Sequence, residues 1–260
     1  MPLHDLRGGA RFGRLVHKVL EELDFDQADA ARIQADVERL GRRVLLPADV
    51  ERVARAISAV LDIPLPSRDG EFSLRAVSAT DCLVELEFTL PVADPAGHGD
   101  GMLATCLAQA FARHAQHPAV AAYASQVRAI GFEPIRGFLR GFIDLVITHE
   151  GRYYLVDYKT NNLGPNVDDY QSQSLDAAMG AHHYVLQYHL YAVALHRYLA
   201  QRLTGYDPVQ HLGGVYYLFV RGCDPTTGSR RGVYVDQPPP DLIRALSLAL
   251  ESPGVIGRTA

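Results

Sequence analysis

The chain has 260 residues, 48% of them hydrophobic and 21% charged, with a formal net charge of -5; this balance supports a sizeable buried core and excludes a long charged or disordered tail. No apolar run approaches the roughly 18 to 20 residues that span a bilayer, and residues 1–25 lack the apolar core and cleavage site of a signal peptide, so a soluble, cytoplasmic protein without a membrane partner is expected. Cys82, Cys106 and Cys223 are far apart and in no C-x-x-C spacing, which argues against a disulfide framework, a zinc ribbon and a cysteine-ligated iron-sulfur cluster.

In chain order, residues 12–23 place Leu15, Val16, Val19, Leu20 and Leu23 on one helical stripe with His17 at its edge. Two further helices are expected near 27–43 and 48–61, completing an N-terminal helical part over residues 1–66. The cluster from Pro64 to Gly70 breaks the helical pattern, after which 72–76 and 82–90 alternate like strands. In the second of these, Glu85 and Glu87 fall on one face and Val84, Leu86 and Phe88 on the other. That pattern fits both a strand with a wet face and a carboxylate turned toward a site. A glycine-rich loop over 93–101 precedes an Ala-rich helix over 102–123.

Residues 138–147 and 153–159 read as two apolar strands of a hairpin turning through His149-Glu150-Gly151-Arg152. Strand side chains alternate, so Asp157 and Lys159 share a face, and the hairpin partner brings Asp144 beside them. Of the 25 basic residues only Lys18 and Lys159 are lysines, so the ammonium after Asp157 stands out in a chain that otherwise uses arginine. Two carboxylates and a lysine outline a metal site; the same spacing also fits a salt bridge near a strand end. A polar loop follows Lys159, then a polar segment over 168–180 and a long helix from about His182 to Arg202. On that helix Gln187 and Tyr191 lie one turn apart, a pairing that also suits solvated side chains. Gly213 to Arg221 reads as a buried strand, 232–235 as a short strand, 238–250 as a closing helix, and the tail from Ser252 as loose.

Taken together, Gly13-Arg-Leu-Val-His17-Lys-Val-Leu-Glu21, Val84-Glu-Leu-Glu87-Phe-Thr-Leu-Pro, Gly141-Phe-Ile-Asp144-Leu-Val, Tyr154-Leu-Val-Asp157-Tyr-Lys159, His183-Tyr-Val-Leu-Gln187-Tyr-His-Leu-Tyr191 and Gly213-Gly-Val-Tyr-Tyr-Leu-Phe-Val-Arg221 resemble the C-terminal nuclease domain of the RecB family, within the PD-(D/E)XK superfamily. The resemblance covers nearly the whole chain. It implies an α/β fold (mixed α+β), with a restriction-endonuclease-like core over 67–260, a central mixed sheet flanked by helices, and the helical part over 1–66 in one compact domain.

By motif match the resemblance implies that His17, Asp144, Asp157 and the Tyr158 carbonyl ligate a catalytic divalent metal, Mg2+ or alternatively Mn2+. It makes Lys159 the catalytic lysine, Glu87 a supporting acid with Glu85 as its alternative, and Gln187 with Tyr191 the family's Q-x-x-x-Y element. The implied activity is hydrolysis of DNA, as single strands and ends, in double-strand break repair and recombination. The implied partners are the RecB helicase part, RecC, RecD and RecA. No G-x-x-x-x-G-K-[ST] occurs, so no ATP site is expected in this chain. Arg136, Arg140 and Arg152 are the nearest candidates for phosphate contacts. Two rival readings remain: a nuclease-like docking module for RecC or RecA, and a stand-alone exonuclease of the superfamily.

Overall fold

The computed structural model describes residues 3, 5, 6, 8–92, 102–129 and 137–251. The loop expected over 93–101, Arg136 and the tail from Ser252 lie outside them. The fold is mixed α/β, with a five-stranded mixed sheet flanked by helices. Its strands are β3 (Cys82–Val92), β4 (Gly137–His149), β5 (Arg152–Lys159), β6 (Leu212–Phe219) and β7 (Val233–Asp236), neighbours in that order. A two-stranded antiparallel pair, β1 (Leu65–Pro66) and β2 (Glu71–Phe72), precedes it. The strand expected over 72–76 therefore stops at Phe72, and Leu74–Ala76 turns as a 3-10 segment.

Two compact units divide the chain. The first comprises Met1–Leu86, Asp144–Ala178 and Val215–Val235. Its helices α1 (Ala10–Glu22), α2 (Ala30–Gly41) and α3 (Pro47–Asp62) bury the stripes expected of them, including Leu15, Val16, Val19, Ile33, Val37, Ile57 and Val60. These residues share one apolar core with Leu145, Ile147, Tyr154, Val156, Tyr158, Tyr216, Leu218 and Val220 of the sheet. Asp29 caps α2 by accepting from the Arg32 amide, and Pro47 opens α3 at a position where a missing N–H costs nothing.

The β4–β5 hairpin is antiparallel, with register from Leu145↔Val156 to His149↔Arg152. Glu150 (φ 50°) and Gly151 (φ 73°) form a two-residue turn with both residues left-handed, the geometry that matches the twist of the flanking strands.

The second unit comprises Glu87–Ile143, Met179–Gly214 and Asp236–Ala260. The helix expected over 102–123 is two helices, α4 (Met102–His114) and α5 (Pro118–Ala129), because Pro118 cannot continue the first and starts the second. After α6 (Ser172–Ala181), the long helix α7 (Tyr184–Arg202) begins only past His183, whose left-handed backbone (φ 56°) breaks the run. A single turn, α8 (Pro208–His211), and α9 (Pro240–Glu251) complete the helices; α9 packs on α4 and α7. Within this unit a Cβ at Gly141 would stand 2.7 Å from the Phe88 ring, so the glycine before Phe142 is there to let that ring in. Among the described residues no helix is long and apolar enough to cross a membrane.

Candidate active site

The site is assembled in the first unit at the open end of the hairpin. One step beyond the Leu145↔Val156 pair, the register sets Asp144 opposite Asp157. Two carboxylates facing each other across a ladder repel, and Asp157 is 3% exposed. Burial first, and the Asp144 charge second, raise the Asp157 pKa; Lys159 and His17 pull it down only in part. Lys159 Nζ stands 2.6 Å from Asp157 Oδ1. At that distance the ammonium and the carboxylate form a buried, charge-assisted pair.

Asp144 uses a single oxygen for two neighbours. Its Oδ2 accepts from the Tyr158 amide at 3.2 Å and lies 3.2 Å from His17 Nδ1. His17 arrives from α1, at the edge of the buried stripe, and its ring meets Tyr158 edge-on with centroids 6.1 Å apart. Burial lowers the His17 pKa, but the hydrogen bond to Asp144 and the charges of Asp144 and Asp157 outweigh it, so the net displacement is upward. Helix and strand come close just before this point: a Cβ at Gly13 would stand 3.3 Å from Thr160 Oγ1.

The expected donors are thus brought together in pairs, His17 with Asp144 and Asp157 with Lys159. They are not closed into a cage: among the described residues no group of three or more His, Cys, Asp and Glu side chains is gathered as a metal-binding set. The donor chemistry nevertheless fits a hard divalent cation, because two neighbouring carboxylates that repel each other, one of them buried, gain from a positive charge between them.

The two glutamates of β3 differ in environment. Glu85 has a left-handed backbone (φ 51°), which interrupts the regular alternation on which the two were placed on one face. Burial and the charges of Asp144 and Glu21 raise its pKa, while His17 and Lys18 oppose them, so its carboxyl senses the site. Glu87 instead pairs with Arg140 in the second unit. In that unit Gln187 Nε2 donates to Tyr191 Oη at 2.8 Å, as their one-turn spacing allows, and Tyr191 meets Phe88 edge-on. Arg152 is buried, at 7% exposure.

Two contributors escaped the sequence reading. The fully buried Tyr217 ring lies under Lys159 Nζ, 5.0 Å from nitrogen to centroid, and strand alternation along β6, which turns Tyr216 and Leu218 to the apolar core, was the available signal. The other is Arg221, just past the end of β6.

A mixed α/β sheet with a buried Asp-x-Lys at the end of a hairpin, beside a second carboxylate, belongs here to a chain of a nuclease superfamily. Residues 4–252 match the PD-(D/E)XK nuclease superfamily, and the chain belongs to it. Among known proteins it is similar to the RecBCD enzyme subunit RecB of Escherichia coli (strain K12), 40% identical over 92% of this chain and 19% of that subunit. RecB of Mycobacterium tuberculosis (strain CDC 1551 / Oshkosh) is 39% identical over 96% of the chain and 24% of the subunit. RecB of Haemophilus influenzae is 34% identical over 93% and 18%. The chain therefore spans about a fifth to a quarter of the length of these curated relatives.

Proposed function

We propose that this chain is a metal-dependent deoxyribonuclease that hydrolyses phosphodiester bonds of DNA strands as the nuclease part of a RecB-type subunit. The observation that carries the reading is the opposed pair Asp144 and Asp157 with Lys159 beside the buried carboxylate. His17, Asp144, Asp157 and the Tyr158 carbonyl would hold Mg2+, or Mn2+ given the imidazole. When bound, such an ion supplies Lewis-acid neutralisation of phosphoryl charge and lowers the pKa of a water.

The chain's own residues do the rest. Lys159, held between Asp157 and the Tyr217 face, directs its ammonium at the attacking water and the phosphoryl oxygen on which charge builds. Asp144 stays fixed by the Tyr158 amide and His17, so its free oxygen keeps one orientation. Glu85 is taken as the supporting acid, because the Asp144 charge raises and the His17 charge lowers its pKa, whereas Glu87 is engaged by Arg140. Gln187 and Tyr191, hydrogen-bonded to each other in the second unit, are the Q-x-x-x-Y element of this reading.

In the same reading the partners are single-stranded DNA and its ends, the RecB helicase part, RecC and RecD, with RecA as a further contact, in the cytoplasm. Similarity to RecB subunits supports this assembly. A net charge of -5 favours a nuclease with modest affinity of its own, fed by a tethered motor that keeps the strand at high local concentration. The test is cleavage of a labelled single-stranded oligonucleotide by the purified chain with Mg2+, with Mn2+ and with EDTA. Cutting that EDTA abolishes and Asp157→Asn eliminates is expected; cutting that persists in EDTA overturns the metal-dependent reading.

A further inference from the structure

A metal site drawn from chain segments far apart in sequence needs something to hold the segments in register, and the first unit contains such a fastening outside the donor set. Arg221 is 1% exposed, a cation sunk almost entirely into the protein. Three of its donors go to main-chain carbonyls: Nε to Thr160 at 2.9 Å, Nη2 to Leu6 at 3.1 Å, and Nη1 to Leu3. The guanidinium also lies over the Phe12 ring, 5.2 Å from its centroid. One residue earlier, the Val220 amide donates to the Lys159 carbonyl at 2.9 Å.

These contacts join two things. On one side are Lys159 and Thr160, the last residue of β5 and its successor, whose backbone position sets where Asp157, Tyr158 and Lys159 stand. On the other are Leu3, Leu6 and Phe12, the lead-in and first turn of α1, which carries His17. Where the two sides meet, Gly13 leaves only contact distance to Thr160 Oγ1. Burial of an arginine is costly unless its donors are satisfied, and a planar fork with five N–H groups is suited to reach three carbonyls on two separate segments. Burial lowers the Arg221 pKa, the Tyr170 hydroxyl acting the other way, yet the guanidinium remains charged, so the clamp does not depend on pH near neutrality.

We propose that Arg221 is a positioning residue of the metal site, a clamp that fixes the His17 helix against the end of the Asp157-Tyr158-Lys159 strand and so sets the metal affinity. The inference rests on the metal-dependent reading above and adds a residue that touches neither metal nor DNA. Groups bonded directly to metal ligands change affinity by about 10- to 100-fold when removed, and Arg221, which reaches the ligands only through the backbone of Thr160 and the start of α1, is placed at the low end of that range.

The experiment compares the wild-type chain with Arg221→Lys and Arg221→Met. Unfolding is followed in EDTA, Mn2+ binding by calorimetry at a temperature where all are folded, and oligonucleotide cleavage by kcat and KM. The clamp predicts Mn2+ binding weakened at least about tenfold in both variants and a fall in kcat with KM little changed. Lysine does not rescue, because it keeps the charge and loses the fork. Phe12→Leu, which removes the ring under the guanidinium, carries the test should Arg221→Met not fold, with a smaller loss in the same direction. Folded variants with wild-type Mn2+ affinity and kcat, lowered only in melting temperature, overturn the proposal and leave Arg221 a purely structural residue. A wild-type chain that takes up no Mn2+ overturns the metal-site reading itself, an outcome separable from failure of the clamp.

Discussion

His17 Nδ1 lies 3.2 Å from Asp144 Oδ2, so a helix near the start of the chain is tied to a strand in its middle through the oxygen that also accepts from the Tyr158 amide. The proposed reading gives this imidazole a second task, as one of the donors that would hold the metal. His17→Ala is therefore expected to weaken Mn2+ binding by at least an order of magnitude while the Tyr158 amide keeps Asp144 in place. Calorimetric titration of the folded variant checks this, and an unchanged affinity removes His17 from the ligand set.

Asp157 and Lys159 separate chemistry from folding. Asp157→Asn retains volume and removes the repulsion with Asp144, and Lys159→Met retains the stem against the Tyr217 ring. Both are expected to reduce cleavage by about three orders of magnitude with cooperative unfolding intact. Single-turnover rates with saturating Mg2+, set beside melting curves, decide it; a variant cutting at the wild-type rate would sink the assignment.

The two glutamates of β3 give opposite expectations. Glu85→Gln removes a carboxyl coupled to Asp144 and should depress kcat by at least about tenfold. Glu87→Gln breaks an exposed pair with Arg140, which is worth less than about 1 kcal/mol, and should leave kcat near wild type. Reversal of this order would return the supporting role to Glu87.

The hairpin was legible in the sequence because strand periodicity and a turn ending in Gly151 are local signals, and the spacing of Gln187 and Tyr191 put them one turn apart on one face, though not in the hydrogen bond they make. His17 was different: its stripe marked it only as a boundary residue, and motif resemblance rather than spacing gave it a role. Motif resemblance put Glu87 first, and regular alternation, which placed both glutamates on one face, kept Glu85 as its alternative; a left-handed residue at Glu85 breaks that alternation, and no residue type announces this at a glutamate. Arg221 was invisible for a related reason, since an arginine closing an apolar run reads as a strand meeting solvent, whereas its fork is satisfied by carbonyls brought from the start and the middle of the chain.

His189 provides a prediction of stability independent of the site. It is fully buried in the second unit, its Nδ1 is 2.7 Å from the Val185 carbonyl, and its Nε2 has no hydrogen-bond partner among the described residues. Burial lowers its pKa to about 3, with the Val185 carbonyl opposing. The unfolded chain, with an ordinary histidine near 6.5, then binds a proton that the folded chain refuses. The group's contribution is complete above pH of about 6.5 and is lost as pH falls toward the folded value, at up to about 1.4 kcal/mol per pH unit. Urea unfolding at intervals from pH 7 to 4.5 should show this slope, and His189→Gln, which lacks the titrating proton, should reduce it by about that amount. Parallel pH profiles for the two proteins would mean that His189 is protonated in the folded state after all.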